Sequence, residues 1–217
     1  MSDMSAIIDA EEFHDLIVIT PDFIRNAVDL SARAYAENPL TDGVFDGHAT
    51  QRQLATFWRA NLLSLMSDML ILTDSDEMNM LAAVGLASFK GVSALRFIFN
   101  GGYKILGYAA KMIKYDKYAT EQRHKVCHGD EIYLYDLAIR PSMQGHGLAS
   151  KILKPLTQVA DRLKRPIFLE THDASTLPIY EHYNFQKAIV GQVPDSNLTH
   201  FALLRQPAGI VTIKPTV

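Results

Sequence analysis

Two glycines flank a histidine in Gln144-Gly145-His146-Gly147-Leu148-Ala149, between a strand-like and a helix-like stretch. Backbone amides at a helix start lack intrahelical acceptors, and the helix dipole there favours anions. Glycine also lets a phosphate approach the backbone closely. The segment can therefore hold a diphosphate, or it can be a turn that joins two elements. A dinucleotide site is one reading, because Gly145 to Ser150 approximates G-x-G-x-x-G and Glu170 ends the next strand where a ribose-binding acid belongs. Against it, five residues, Arg140 through Gln144, separate the strand end from Gly145, and little chain follows Glu170 to complete a doubly wound sheet. A Walker loop is excluded, because no Gly-Lys-Ser/Thr follows. No Ser–His–Asp arrangement stands out. His14, His48 and His200 are scattered without metal-ligand spacing, so no metal is expected.

The elements that must position this loop can be read on either side of it. Leu16–Ile19 is a short apolar run that predicts a first strand. Thr20-Pro21-Asp22 predicts a helix start, and the helix should run to about Ala36, where Asn38-Pro39 breaks it into a Gly/Asp loop ending at Gly47. Thr50 can cap a second helix to about Ser67, with Leu54, Phe57, Trp58, Leu62 and Leu65 on one side. Met69–Thr73 and Met80–Phe89 predict a hairpin around Asp74-Ser75-Asp76-Glu77. Residues 92–126 hold two helical patterns split by Gly101-Gly102; the second carries Lys104, Lys111, Lys114, Lys117, Arg123 and Lys125, a run that can steer phosphates or an acidic substrate but is more often a solvated face. Ile132–Ile139 is the next strand. Leu148 to Leu163 is a helix with Pro155 inside, which should remove a hydrogen bond and bend it. Pro166–Thr171, Phe185–Val193 and Thr199–Leu204 predict strands, and Leu177–Tyr183 a short helix. Strand, helix, strand in succession implies a parallel pair within an α/β layer fold.

Composition sets the outer bounds. The 217 residues, 48% hydrophobic and 21% charged, are enough for one large domain with a real core. A net charge of -3 gives no general basicity for nucleic acid or an anionic membrane. Cys127 is alone, which excludes an internal disulfide and a cysteine-built zinc site and suits a reducing compartment. The first residues, with Asp3, Asp9, Glu11 and Glu12, are acidic rather than signal-like, and no apolar run approaches about 20 residues. These features lead to the expectation of a soluble cytoplasmic protein.

More residues are explained by a resemblance. The stretch Leu137-Ala138-Ile139-Arg140-Pro141-Ser142-Met143-Gln144-Gly145-His146-Gly147-Leu148-Ala149 resembles the acetyl-CoA motif of the GNAT superfamily of N-acetyltransferases. That motif is a strand, then Pro, then Gln/Arg-x-x-Gly-x-Gly/Ala; Gln144, Gly147 and Ala149 match it. Downstream, Leu177-Pro178-Ile179-Tyr180-Glu181-His182-Tyr183-Asn184-Phe185 is similar to the family's Tyr-Glu-x-x-Gly-Phe element, with Asn184 for glycine. Asn tolerates positive φ, so the replacement is mild. The Leu169-Glu170-Thr171 strand end and the Leu-Pro-x-Tyr element look similar to the puromycin acetyltransferase branch.

The resemblance implies one acetyltransferase domain over residues 1–217, with a helical insertion around 92–126. Its fold would be a mixed, mostly antiparallel α/β sheet with a splayed parallel strand pair, flanked by helices. Acetyl-CoA would be the co-substrate, and the acceptor a primary amine of a small molecule. Leu137, Ala138 and Ile139 would face the pantetheine arm and thioester; Gln144, Gly145, His146, Gly147, Leu148 and Ala149 would hold the diphosphate; Thr176 could touch coenzyme A or start a helix. Transfer would be direct, in a ternary complex, with Tyr180 as general acid for the leaving thiolate. An alkyl amine has a pKa near 10, so only about one in a thousand is neutral at pH 7 and a base is useful. Relatives place bases where this chain has Tyr133 and Tyr135, so Glu170, Asp136 and His128 are the candidates. Strand alternation puts Tyr133, Tyr135 and Leu137 on one face and Asp136 on the other. The alternatives are a dinucleotide-dependent oxidoreductase and a coenzyme A-binding sensor without catalysis. No nucleic acid or membrane partner is expected, and a homodimer is compatible with the sequence.

Overall fold

β-branched and aliphatic runs bounded by polar turns supply the strands β1 (Ile17–Val18), β2 (Leu70–Thr73), β3 (Met80–Leu86), β4 (Ile132–Ile139), β5 (Ile167–Thr171), β6 (Gln186–Gln192) and β7 (Thr199–Arg205). In the computed structural model, which describes Ile7 and residues 11–209, they form one sheet in chain order with the last two exchanged. Asp3 and Asp9 of the acidic start lie outside the described residues. All neighbours pair antiparallel except β4 and β5, which are parallel. A sheet with a single parallel pair is not doubly wound, which overturns the dinucleotide-fold alternative.

The helices are α1 (Ile24–Ala34), α2 (Pro39–Phe45), α3 (Gln51–Leu65), α4 (Ala94–Phe99), α5 (Ala109–Val126), α6 (Ser150–Leu163) and α7 (Leu177–His182). Thr50 caps α3 in a reciprocal box, its Oγ accepting from Gln53 N–H while Gln53 Oε1 accepts from Thr50 N–H. Thr20 makes no such bond; Pro21–Phe23 is a 3-10 turn, so α1 begins at Ile24 and ends at Ala34 rather than Ala36. The expected loop after Asn38-Pro39 is in fact α2. Asn38 Oδ1 accepts from Leu40 N–H at 2.9 Å, and Pro39 has a φ suited to a first helical position, so the pair that ends one helix starts another.

The two faces of the sheet bury different helices. On one, α6 packs Ile152, Leu153, Leu156, Val159 and Ala160, each 0% exposed, against Ile132, Leu134 and Leu169. Burying each of the larger side chains is worth about 1.5–3 kcal/mol, enough to hold α6 continuous across Pro155. On the other face lie α1, α3 and α5, through Leu30, Leu54, Leu62 and Tyr115. Arg123 departs from the solvated face expected for its helix. It is 6% exposed, donates to Glu131 Oε1 at 2.9 Å and to the carbonyls of Phe89 and Leu86, and lies 4.2 Å over the Tyr133 ring. No helix of the described residues is long and apolar enough to cross a membrane.

Candidate active site

The parallel pair parts early. β4 and β5 pair at Ile132↔Ile167, Tyr133↔Phe168 and Leu134↔Leu169, and not beyond. β4 then runs on to Ile139 and β5 to Thr171, so a wedge opens between them. On the other edge of β4, Leu134 faces Val84 and Asp136 faces Ala83, which makes Tyr135 an extra residue in a β-bulge. Cross-strand partners share a face. Asp136 therefore shares the face of Ala83, on the α1 side, and Leu137 joins Ile132 and Leu134 on the α6 side. This reverses the expected alternation, because one inserted residue shifts every later side chain to the other face.

The bulge collects polar groups on one face of three adjacent strands. Asp136 comes from β4, Glu170 from β5 opposite Ala202, and His200 from β7 opposite Gly191. The Tyr35 hydroxyl, from just past α1, donates to Asp136 Oδ1, and the Tyr35 ring stacks 4.7 Å from Trp58. Tyr133 donates to Glu170 Oε1 at 2.7 Å. Burial pushes Asp136 up to about 7 despite its bond from Tyr35. Burial likewise pushes Glu170 up to about 7, against the Tyr133 bond and the Arg123 charge. The Tyr180 hydroxyl is held above its usual range, first by burial and then by the charges of Asp136 and Asp173. Asp136 Oδ2, Glu170 Oε2 and His200 Nε2 are buried without a hydrogen-bond partner among the described residues. Glu170 keeps 15% of its side chain exposed, against 5% for the whole of Asp136.

At the open end of the wedge, Pro141–Met143 turns the chain into the glycine loop. Gly145 and Gly147 both have φ +77°, and a Cβ on either would meet nothing within 4 Å. The glycines are required for backbone conformation, and they leave a bare surface. Gln144 N–H is taken by Pro141 O at 3.3 Å and Ser150 N–H by Gly147 O at 3.0 Å. Between them, the amides of residues 145–149 have no backbone acceptor among the described residues. His146 Nδ1 lies 2.9 Å from Gln144 O.

The other candidates lie at different places in this frame. Leu137, Ala138 and Ile139 form the stretch of β4 that has lost β5. Tyr180 lies on α7, edge-on to Phe185 at 5.9 Å, and Asn184 has the positive φ of 63°. Thr176 Oγ1 donates to Asp173 O at 2.8 Å, directly before α7. His128 is exposed in the turn before β4, at the closed end of the pair, so it is not brought to the carboxylates. Cys127 is half-buried, its thiol pushed up to about 12 by burial first and Glu131 second. Sequence alone does not single out Tyr35 or His172, and it brings in His200 only as a scattered histidine without metal-ligand spacing. His172 carried a weak signal, lying two residues after Glu170; Tyr35 and His200 carried none, since only pairing places them here.

The chemistry available is a backbone anion cradle, an unpaired strand edge, two carboxyls poised near neutrality and a protonated tyrosine. Residues 76–185 match the model of the acetyltransferase (GNAT) family. The fold is similar to that of a histone acetyltransferase HPA2 and related acetyltransferase from Corynebacterium glutamicum, at 18% identity over 91% of this chain and 98% of that one, TM-score 0.59. It is also similar to arylalkylamine N-acetyltransferase 2 from Aedes aegypti, at 14% identity, 88% and 97% covered, TM-score 0.59. A third likeness is to PaiA N-acetyltransferase from Thermoplasma acidophilum in complex with coenzyme A, at 9% identity, 88% and 97% covered, TM-score 0.50.

Proposed function

The chain belongs to the GNAT acetyltransferase family, and we propose that it transfers the acetyl group of acetyl-CoA directly to the primary amine of a small molecule. It is an acetyltransferase of a family that uses acetyl-CoA. The observation that carries the finer reading is the wedge past Leu134 and Leu169, with the glycine loop at its mouth and Asp136 and Glu170 on one face. The arylalkylamine enzyme of similar fold supports a small amine as acceptor. The domain would span the chain, with 92–126 inserted ahead of β4.

The residues fit such a co-substrate. The amides of Gly145, His146, Gly147, Leu148 and Ala149 have no backbone acceptor among the described residues and would hold the diphosphate, while the Gln144 amide stays with Pro141. The free edge of Leu137, Ala138 and Ile139 would pair with the pantetheine arm, whose amides substitute for the missing strand. Thr176 would border it at the start of α7. When bound, the co-substrate supplies a thioester carbonyl for attack.

Glu170 takes the proton of the incoming ammonium. Its elevated pKa, about 7, matches a base working near neutral pH, and it is the more open of the two buried carboxyls. Asp136 fixes Tyr35, and its charge helps to keep the Tyr180 proton in place. Tyr180 gives that proton to the leaving thiolate. Cys127, with its thiol pushed up to about 12, is a poor nucleophile, which supports direct transfer over an acetyl-cysteine route.

Release of free thiol from acetyl-CoA with a panel of amines tests the reading. Amine-dependent release is expected, together with thermal stabilisation by acetyl-CoA. Stabilisation without release above background would leave a sensor. Stabilisation by a nicotinamide cofactor with no response to acetyl-CoA would refute the reading.

A further inference from the structure

The inserted helix α5 brings to the site a carboxyl that the reaction above does not use. Near the C-terminal end of α5, Arg123 lies 4.2 Å over the Tyr133 ring, at the closed end of the β4–β5 pair. Further back, Tyr118 stands edge-on to His200 at 5.4 Å. His200 immediately precedes Phe201, which pairs with Thr171 where β5 ends. The helix therefore runs along the face that carries Asp136 and Glu170, from the paired end of the wedge to the open end. Asp116 comes two helical turns before Arg123, so the two share a side of α5 and stand about 10 Å apart along it. That places Asp116 over the open wedge.

The surroundings of Asp116 are unusual for a surface carboxyl. The residue is exposed, yet the protein around it desolvates the carboxyl and raises it above its ordinary value. A carboxyl that is open to solvent and still desolvated lines a recess rather than a convex surface. Among the described residues it has no hydrogen bond and no ion pair, and no cation offsets its desolvation. Gly91, at φ +100°, passes close by. A Cβ there would stand 3.3 Å from Asp116 Oδ2, so glycine leaves that oxygen room.

Aromatic surface lies between Asp116 and the base. The rings of Tyr133 and Tyr135 stand edge-on at 5.6 Å, and Phe89 meets Tyr135 at 5.6 Å. Tyr135, the extra residue of the bulge, is partly open. Burial raises its hydroxyl first and the Asp116 charge second. Tyr133 donates to Glu170 Oε1 at 2.7 Å at the other end of the row. Ring faces attract both methylene groups and cations. A monoamine presented to Glu170 would leave Asp116 unpaired and desolvated, which is unfavourable. A second ammonium on the same molecule would pair it.

We propose that Asp116 selects the acceptor: it holds one ammonium of a diaminoalkane whose methylene chain lies on Tyr135 and whose other amine is presented to Glu170. The inference rests on the reading of Glu170 as the base of an acetyl transfer. The ammonium at Glu170 gives up its proton and takes the acetyl group; the ammonium at Asp116 stays charged and keeps its bonds throughout. Asp116 is thus a specificity-determining residue. Its contribution appears in the choice between amines, since it touches no atom that changes bonding.

The test compares α,ω-diaminobutane with butylamine as acceptors for the full chain, by thiol release from acetyl-CoA. The diamine should have the higher kcat/KM by about 10- to 100-fold, the worth of one charge-assisted contact. Asp116→Asn should remove most of that ratio through the KM of the diamine, with the KM of acetyl-CoA little changed. Asp116→Glu keeps the charge and should keep a preference for diamines, moved towards a shorter chain because its carboxyl reaches further. Asp116 is exposed and bonds to nothing among the described residues, so both variants should fold. Equal kcat/KM for the two amines in the native chain, a ratio that survives Asp116→Asn, or an equal loss in Asn and Glu variants would overturn the inference. Calorimetric binding of diaminobutane with coenzyme A present needs no turnover, and it should weaken about 10-fold or more in Asp116→Asn. Asp116-dependent binding without thiol release would refute the acetyl-transfer reading alone. Amine-dependent release with no preference for the diamine would refute this inference alone.

Discussion

Replacing Asp136 by Asn should stabilise the fold, and the gain should depend on pH. Asp136 is 5% exposed, and burial raises it from 3.8 to about 7. Between those values the folded chain holds a proton that the unfolded chain has released. Stability therefore falls as pH rises through the window, by about 1.4 kcal/mol per unit. A shift of about 3 units amounts to roughly 4 kcal/mol lost above pH 7, an order-of-magnitude figure. Asn keeps the bond from the Tyr35 hydroxyl through Oδ1. Its Nδ2 replaces Oδ2, which has no partner among the described residues, so an unsatisfied buried donor costs about 1–3 kcal/mol. The balance at pH 8 is a gain of about 1–3 kcal/mol. At pH 5 the native penalty has shrunk to roughly 1.6 kcal/mol, and the two forms should be nearly equal. Urea unfolding followed by circular dichroism at both pH values measures the difference, and the midpoint at pH 8 should rise by about 1 M. An equal midpoint difference at pH 5 and pH 8 would refute the reasoning, since it would mean that the buried carboxyl does not titrate in this window.

The remaining expectations concern the cofactor loop, the acid, the base and a buried ion pair. Gly147→Glu places a side chain at φ +77° and a negative charge where the diphosphate should lie; acetyl-CoA affinity measured by calorimetry should fall beyond detection, and native affinity would argue against the loop assignment. Tyr180→Phe should lower kcat about 100-fold with acetyl-CoA affinity nearly intact, so unchanged turnover across the pH range would remove its role as acid. The native kcat/KM profile should show an acid limb near pH 7, set by Glu170, and Glu170→Gln should abolish most activity together with that limb. Arg123→Met strands Glu131, which is 3% exposed and 2.8 Å from the guanidinium; unfolding free energy should drop by about 3–5 kcal/mol, and adding Glu131→Met should recover much of it.

What the sequence determined by itself was mostly local. Periodicity located α3, α6 and the strands around them, because the apolar positions that make each element amphipathic lie close together in the chain. The order of strand, glycine loop and helix marked residues 144–149 as a candidate anion loop, and the two ordered motifs indicated the family that residues 76–185 match. The helix Pro39–Phe45 was misread as loop because Asn and Pro end helices as readily as they begin them. Tertiary structure alone decided where the carboxyls lie and what they touch. A single extra residue at Tyr135 turned Asp136 towards Tyr35 and Leu137 away from it. Pairing of β5 with β7 brought His200 to Glu170, thirty positions earlier in the chain. Neither event leaves a periodic trace, since a bulge is an interruption of the period and strand pairing joins residues at unrelated spacing. The near-neutral carboxyls follow from the same cause, because desolvation depends on what packs above a residue rather than on its neighbours in sequence.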